Sequence, residues 1–536
     1  MRKTALATLA AGLGLALLPM QPILAAEPQG ASATEVPDQP LSDGTIQAIG
    51  PGTYESASKS FNIPETDVSA GLMGRSHRVV AQLQGISQPQ DAPTNRSDLG
   101  VFGPSWEAEF LGGQLNRKLT PGSGSITTTD LAVNESTRYD LTDSVAGPNG
   151  GSVNTYTAAD GSKLVETVKW DDLAGALKTT VVETLNIDLA SPVEGDDVPV
   201  DALGNPVSAA DLKPSITYKQ VGGGGDNWRV TATGNVAYKL NTVSYDSVGR
   251  VSTINLPASP ETLAESIKVN YATTTTASSG TLGDVTGRVK DITRTSGQTV
   301  ETLARYSYDG SGLLRKVTNP TEGTDLSTYT YDTNERLATV ADSLYHWDLS
   351  YPGDTSAPDA VQTAGPPPAD LDEPLNLPDP THGPARPQAD MPPNSPSWCN
   401  YAQRWIWKQI SDCVTTVAHY GWHAPSKKKL PNGRDIMGIT YDHCTSSPDK
   451  PGGYDFRTAC DGHDYAYGVI GNWYKRTSRY MNPNLKLDAD AAFYDLLKNQ
   501  TCPAYRSQAI CGWIAGTYHW AVRWGGNPQR GATATH

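Results

Sequence analysis

From about residue 70 to residue 351, apolar and polar positions alternate in short runs, with turn residues every ten positions or so. That is the signature of strands buried on one face. Val230-Thr-Ala232 and Val236-Ala-Tyr238 flank a turn at Thr233-Gly-Asn235, and Leu177 to Val182 follows a turn containing Gly175. The pattern predicts an all-β body over 71–351. From Trp398 the spacing of apolar residues lengthens to three and four, predicting helices near 400–419, 455–470, 487–500 and 505–523. Between them, 352–397 is Pro-rich, includes Pro366-Pro-Pro368 and offers little for a core, so it reads as an extended linker. Residues 27–70, polar and rich in Pro, Ser and Ala, read as a flexible leader. A chain of 536 residues exceeds one ordinary core. The fold class expected is therefore multidomain: an N-terminal all-β repeat-rich body followed by a C-terminal all-α domain at 398–536, with cysteines to brace it.

The body repeats itself. Ser244-Tyr-Asp-Ser-Val-Gly-Arg-Val-Ser252, Ser307-Tyr-Asp-Gly-Ser-Gly-Leu-Leu-Arg315 and Thr330-Tyr-Asp-Thr-Asn-Glu-Arg-Leu-Ala338 share one plan, with a degenerate copy at Val285-Thr-Gly-Arg-Val289. Each reads as strand–turn–strand: Asp caps the turn, Gly or Asn takes positive φ, and Tyr packs on the neighbouring unit. Asp309-Gly-Ser-Gly312 lacks the alternating oxygen ligands of a calcium loop and reads as a hairpin turn. Over about 240–351 these residues resemble the tyrosine-aspartate repeats of the Rhs family. The resemblance implies a β-sheet scaffold that carries a C-terminal toxin. At this length the body is expected to be too short to close the large shell of the long family members.

The first residues look like an export signal at 1–26: basic Arg2 and Lys3, an apolar run from Thr4 to Leu18, and a cleavage site after Leu24-Ala25-Ala26, with Ala33 as an alternative. That run is too short to span a bilayer, and nothing later resembles a transmembrane segment. The expectation is a secreted, extracellular protein. Net charge is −15, unevenly spread: from Trp398 onward 16 Lys and Arg face 10 Asp and Glu, a net of +6 that leaves −21 for the rest. A basic tail on an acidic body favours an anionic partner, lipid surface or nucleic acid. All six cysteines (Cys399, Cys413, Cys444, Cys460, Cys502, Cys511) lie in the tail. In an exported chain they read as a disulfide framework with fifteen possible connectivities, and zinc is disfavoured because no Cys-x-x-Cys pair occurs.

The tail also holds the candidate chemistry. Cys460, His463, Asp464 and Tyr467 fall at i, i+3, i+4 and i+7 of one predicted helix, and Asp490, Phe493, Tyr494 and Leu497 repeat that spacing on the next. Asp442 and His443 precede Cys444 in a loop. A bond from Cys444 to Cys460 would tie that loop beside His463, and packing of the two helices would bring Asp490 to the imidazole. A histidine base, an orienting carboxylate and two carboxylates for a hard cation are what cation-assisted ester hydrolysis needs.

The ordered set Asp442-His-Cys444 … Phe456-Arg-Thr-Ala-Cys460-Asp-Gly-His463-Asp464-Tyr-Ala-Tyr467 … Asp490-Ala-Ala-Phe-Tyr-Asp495 … Cys502 resembles the secreted prokaryotic phospholipase A2 family. The resemblance implies a small helical fold, His463 as general base and Asp490 as its partner. It further implies Ca2+ held by the Asp442 and Asp464 side chains and the His443 carbonyl. Disulfides Cys444–Cys460 and Cys502–Cys511 follow from it, with Cys399–Cys413 left over. The substrate implied is the sn-2 acyl ester of glycerophospholipids, met by transient peripheral contact with a phospholipid membrane. An immunity or delivery partner would accompany a toxin role. Two departures stand out. The interval from His463 to Asp490 is lengthened by Trp473-Tyr-Lys-Arg-Thr-Ser-Arg-Tyr480, and Asp461-Gly462 stands where a basic residue is common.

Competing readings are a nuclease toxin, which the basic charge would suit, and a non-catalytic surface adhesin. The second histidine or asparagine of the common metal-finger nucleases is missing, so no nucleic-acid partner is expected. His419, His423 and His519 read as structural or solvated, and Lys427-Lys-Lys429 as a solvated loop.

Overall fold

The computed structural model describes residues 45–80, 96–364 (without 188, 190–200, 202–204, 223–226, 260–261, 322, 343–344 and 354), 402–407 and 425–528 (without 441, 478–482 and 527). The expected signal at 1–26, most of the linker and the Cys399–Cys413 pair lie outside these residues, as do His419 and His423.

The leader expected over 27–70 gives way at residue 46 to strands. β1 (Ile46–Ile49), β2 (Gly52–Glu55), β3 (Ser60–Val68), β4 (Met73–Val80) and β5 (Trp106–Glu109) form one antiparallel sheet in chain order. Composition concealed β3: Ser60-Phe-Asn-Ile-Pro-Glu-Thr-Asp-Val68 looks polar, yet Phe61, Ile63 and Val68 are buried. Its Asp67 pairs with the buried Arg75 at 2.7 Å, and that guanidinium stands 4.6 Å from the Trp106 ring centre.

Eighteen further strands between Arg117 and Ala364 follow one another antiparallel and curl into a closed barrel. Strands at 46–68, read as leader, and the tail helices supply the filling that the body alone lacks. The sheet also overruns the predicted boundary at 351. Asp359–Ala364 pairs with His346–Ser350, inside the span read as linker. One short helix, α1 (Ala209–Leu212), interrupts the strands, and its N-terminus is capped by the Ser208 hydroxyl, which accepts from the Asp211 amide.

The tyrosine-aspartate units are hairpins built as a ladder. Asp246, Asp309 and Asp332 each accept two backbone N–H bonds across their own turn and bond the arginine that leaves it, Arg250, Arg315 or Arg336. Tyr245, Tyr308 and Tyr331 donate their hydroxyls to the backbone of an earlier strand, at Val230, Val289 and Leu314. Arg315 then stacks over Tyr331 and Arg336 over Tyr351. Gly249 and Gly312 take positive φ as expected. In the third unit it is Glu335, not Asn334, that does so. The predicted turn at Thr233-Gly-Asn235 is instead the end of a strand running Trp228–Asn235, and the reversal occupies Val236-Ala-Tyr238, expected as the second strand, so that Asn235 pairs with Lys239.

A buried polar cluster on the barrel strands centres on Glu183. Glu183, fully buried, accepts both bonds of Arg117 at 2.8 and 3.0 Å and the hydroxyls of Tyr139 and Tyr218 at 2.7 and 2.6 Å. A buried ion pair persists only when so fully bonded. Trp513, in the tail, lies 5.4 Å from the Arg117 guanidinium, which brings the last helix to the inner side of the sheet.

The tail consists of α2 (Arg457–Thr477), α3 (Pro483–Asp495) continued by a π turn (Leu496–Thr501), and α4 (Gln508–Gly525). It is not purely helical: Ser426–Lys429 pairs with Asp435–Gly438 in a hairpin. Lys427 and Lys429 both bond Asp435 across that hairpin, and Lys428 turns to α2, so this tri-lysine is a strand and not a solvated loop. Residues 402–407, within the first predicted helix, form a 3-10 helix. Body and tail share one apolar core. Polar clasps join them around the tail: Ser69–Asp488, Glu109–Lys498, Glu265–Arg523 and Asp342–Arg404.

Candidate functional site

The site is assembled by α2, α3 and the loop after the hairpin. Residues at 460, 463, 464 and 467 project from neighbouring turns of α2, as their spacing requires. Packing of α3 against α2 brings Asp490 to His463, with Nε2 3.1 Å from Oδ1. Tyr467, one turn beyond His463, donates its hydroxyl to the same oxygen at 2.7 Å. Lys486, one turn before Asp490 on α3, donates to Oδ2 at 2.8 Å and to the Val522 carbonyl of α4 at 3.1 Å. The imidazole is clasped between the rings of Tyr467 and Phe493, whose centres lie 4.0 and 4.6 Å away.

Asp490 is 1% exposed. Burial alone would raise its carboxyl, but the Lys486 ammonium, and then the His463 bond, hold it well below the usual carboxylate range. It is a fixed anion. With Nε2 of His463 committed to it, Nδ1 is the nitrogen left to take a proton from a bound water.

The loop carrying Asp442 and His443 is tied beside α2 by the Cys444–Cys460 disulfide, with Cα atoms 5.1 Å apart. Cys502–Cys511 is the second bond and fastens the start of α4. Thr445 donates its hydroxyl to Asp442 at 2.7 Å. Asp464 is half-buried, and its Oδ2, withdrawn from solvent, has no hydrogen-bond partner among the described residues. Burial first, then the nearby charges of Asp442 and Asp461, push its carboxyl well above the ordinary value. An orphaned carboxylate oxygen beside a second carboxylate is the donor set that a hard cation satisfies. The Asp442 and Asp464 carboxylates are therefore donors of the kind a calcium shell would use. Among the described residues no three His, Cys, Asp or Glu side chains converge as a ready-made metal cluster, so main-chain oxygen and water would complete the shell.

Two functional neighbours were missed in the sequence. Lys486 stands at i−4 to Asp490, a helical spacing that is legible once α3 is recognised. Asp461 was noticed only as a departure, yet it is 3% exposed and bonded to the cation loop. His519 is buried against Tyr494 and Trp520, its Nδ1 lacks a partner among the described residues, and burial pushes its pKa down to about 3, as suits a neutral structural histidine. α2 continues to Thr477, into the segment that lengthens the interval between the dyad residues.

Residues 417–526 match the family model described as prokaryotic phospholipase A2. A secretory phospholipase A2 of Arthroderma benhamiae is 65% identical over 26 residues, which is 5% of this chain and 18% of that protein. The chain therefore covers less than a fifth of that relative. The tail of this protein carries a phospholipase A2-type domain.

Proposed function

We propose that this protein is a secreted, calcium-dependent phospholipase A2 that cleaves the sn-2 acyl ester of glycerophospholipids with water activated by His463. The observation that carries the reading is the pairing of His463 Nε2 with Asp490, whose carboxyl Lys486 holds below the usual range, on the same helix face that carries Asp464 with its Oδ2 lacking a partner among the described residues. His463 takes the proton of the attacking water on Nδ1. Asp490 fixes the tautomer and offsets the charge of the imidazolium that forms. Tyr467 and Lys486 keep that carboxylate from turning. The Asp442 and Asp464 carboxylates with the His443 carbonyl would hold Ca2+, whose chemistry is to polarise the ester carbonyl and offset developing oxyanion charge, worth several kcal/mol.

The body is read as a scaffold of Rhs-type tyrosine-aspartate hairpins carrying the phospholipase as a toxin or effector. The ladder of Asp-capped turns and the clasps between body and tail support this. Export is supported by the two disulfides and by the secretory relative. Among the described residues no helix is long and apolar enough to cross a membrane, consistent with transient contact at a lipid surface.

The test is fatty-acid release from phosphatidylcholine, as short-chain monomers and as vesicles, by the full-length chain before and after limited proteolysis. Release that requires calcium, stops with chelator and is lost in His463→Ala is expected. Release that persists in His463→Ala removes the proposed base.

A further inference from the structure

We infer that Asp461 is a positioning residue for the cation loop, pinning the Thr440 and His443 side chains to α2 so that the Asp442 carboxylate and the His443 carbonyl are presented together. The inference rests on the reading that Asp442, His443 and Asp464 hold a cation. Four bonds converge on this one residue. Its Oδ1 is 2.7 Å from His443 Nδ1, and its Oδ2 accepts from the Thr440 hydroxyl and the Lys428 ammonium, both at 3.1 Å. Its carbonyl accepts from the Ile439 amide at 2.9 Å.

These bonds interlock with the disulfide. Cys444 is bonded to Cys460 and His443 to Asp461, so two successive loop residues are fastened to two successive helix residues. Ile439 and Thr440 are held from the other end. The candidate ligands lie inside the fastened interval, where the loop has little freedom left.

The backbone needs that fastening. His443 has φ of 56°, a left-handed conformation that costs a residue other than glycine free energy and persists only where its surroundings impose it. Its ring, 28% exposed, is anchored by a carboxylate that is 4% exposed. Turning His443 into the ordinary α or β region would swing its carbonyl away. Asp461 is also unsuited to be a ligand itself, because both oxygens are already engaged by donors on Lys428, Thr440 and His443.

The role is separable from that of the ligands by calcium titration calorimetry on the full-length chain, with far-UV and near-UV circular dichroism to verify the fold. Asp464→Asn should abolish binding. Asp461→Ala should weaken it by about 10–100-fold, the usual consequence of removing a residue that orients a ligand. His443→Leu keeps the backbone carbonyl and should weaken it comparably. The double variant should bind no worse than the poorer single, because both changes break one contact. Should Asp461→Ala not fold, His443→Leu carries the comparison. Wild-type affinity in Asp461→Ala or in His443→Leu, or fully additive losses in the double variant, would overturn the positioning role and leave the site standing. Asp461→Asn, which keeps the shape and an acceptor oxygen, should bind better than Asp461→Ala. Loss as complete as in Asp464→Asn would make Asp461 a ligand and also overturn it. Binding that is absent from the wild type, or that survives Asp464→Asn, overturns the cation-site reading instead.

Discussion

Lys486 and Asp490 stand one turn apart on α3 and form an ion pair at 2.8 Å, with the carboxylate almost wholly withdrawn from water. The lysine takes Oδ2 and leaves Oδ1 to His463 and Tyr467. Binding the Val522 carbonyl as well, it ties the dyad to the end of α4. One side chain thus governs both the charge and the orientation of the dyad carboxylate.

Lys486→Met leaves that carboxylate buried without its counter-charge, which should cost about 3–5 kcal/mol at neutral pH. The pH dependence has a definite sign. Asp490 is held below its unfolded value of about 3.9, so its ionised form stabilises the fold above that value and the contribution fades as pH falls through the folded value. Without Lys486 burial raises that carboxyl, so the gap between wild type and variant should be largest at neutral pH and shrink as falling pH protonates the carboxyl in the variant. Urea unfolding across that range checks it, and a gap independent of pH would contradict the assignment.

Asp490→Asn removes the charge while nearly keeping the shape. The amide cannot stabilise an imidazolium, so kcat on short-chain phosphatidylcholine should fall by about 10²–10⁴-fold, with KM nearly unchanged. His463→Ala should fall at least as far. Combining the two changes should add little, because they disable one device.

Replacing Cys444 and Cys460 by alanine opens a loop closed by residues 16 apart. In the chain-entropy picture a ring of this size is worth about 3 kcal/mol. Chemical denaturation should show that loss. Calcium titration should show a weaker site, since the disulfide is one of the two ties on the Asp442 loop.

Calcium should stabilise the folded chain. The unpartnered Asp464 carboxylate beside Asp442 is a cost without a cation and a ligand set with one. At a hundredfold excess over the dissociation constant the gain is about 2.7 kcal/mol. Differential scanning calorimetry with calcium and with chelator should show a raised Tm that Asp464→Asn no longer displays.

The parts of the molecule legible in the sequence were those written in local spacing. The faces of α2 and α3, the capped hairpin turns and the two described disulfides all follow from residues a few positions apart or from an ordered motif. What composition obscured were elements whose burial is set by distant partners. β3 looks like leader because its polar residues, Glu65 and Asp67 among them, are answered by Arg75 on the next strand and by Ser327 and Tyr306 far along the chain. Asp359–Ala364 looks like linker because it pairs in the barrel without presenting a rich apolar face.

The sequence by itself determined the chemistry on offer: which side chains could act as base, orienting acid and cation ligands, and that helical spacing places them on two faces. Only the tertiary structure decided how that chemistry is held. Packing of α3 on α2 chose Nε2 of His463 for Asp490, the Lys486 ammonium kept the buried carboxylate ionised against the cost of burial, and Asp461 became an anchor because the loop folds back onto its turn. Barrel closure belongs to the same level. It depends on hydrogen bonds between strands far apart in the chain and on a core filled by the two ends of the molecule, and neither leaves a periodic trace along the sequence.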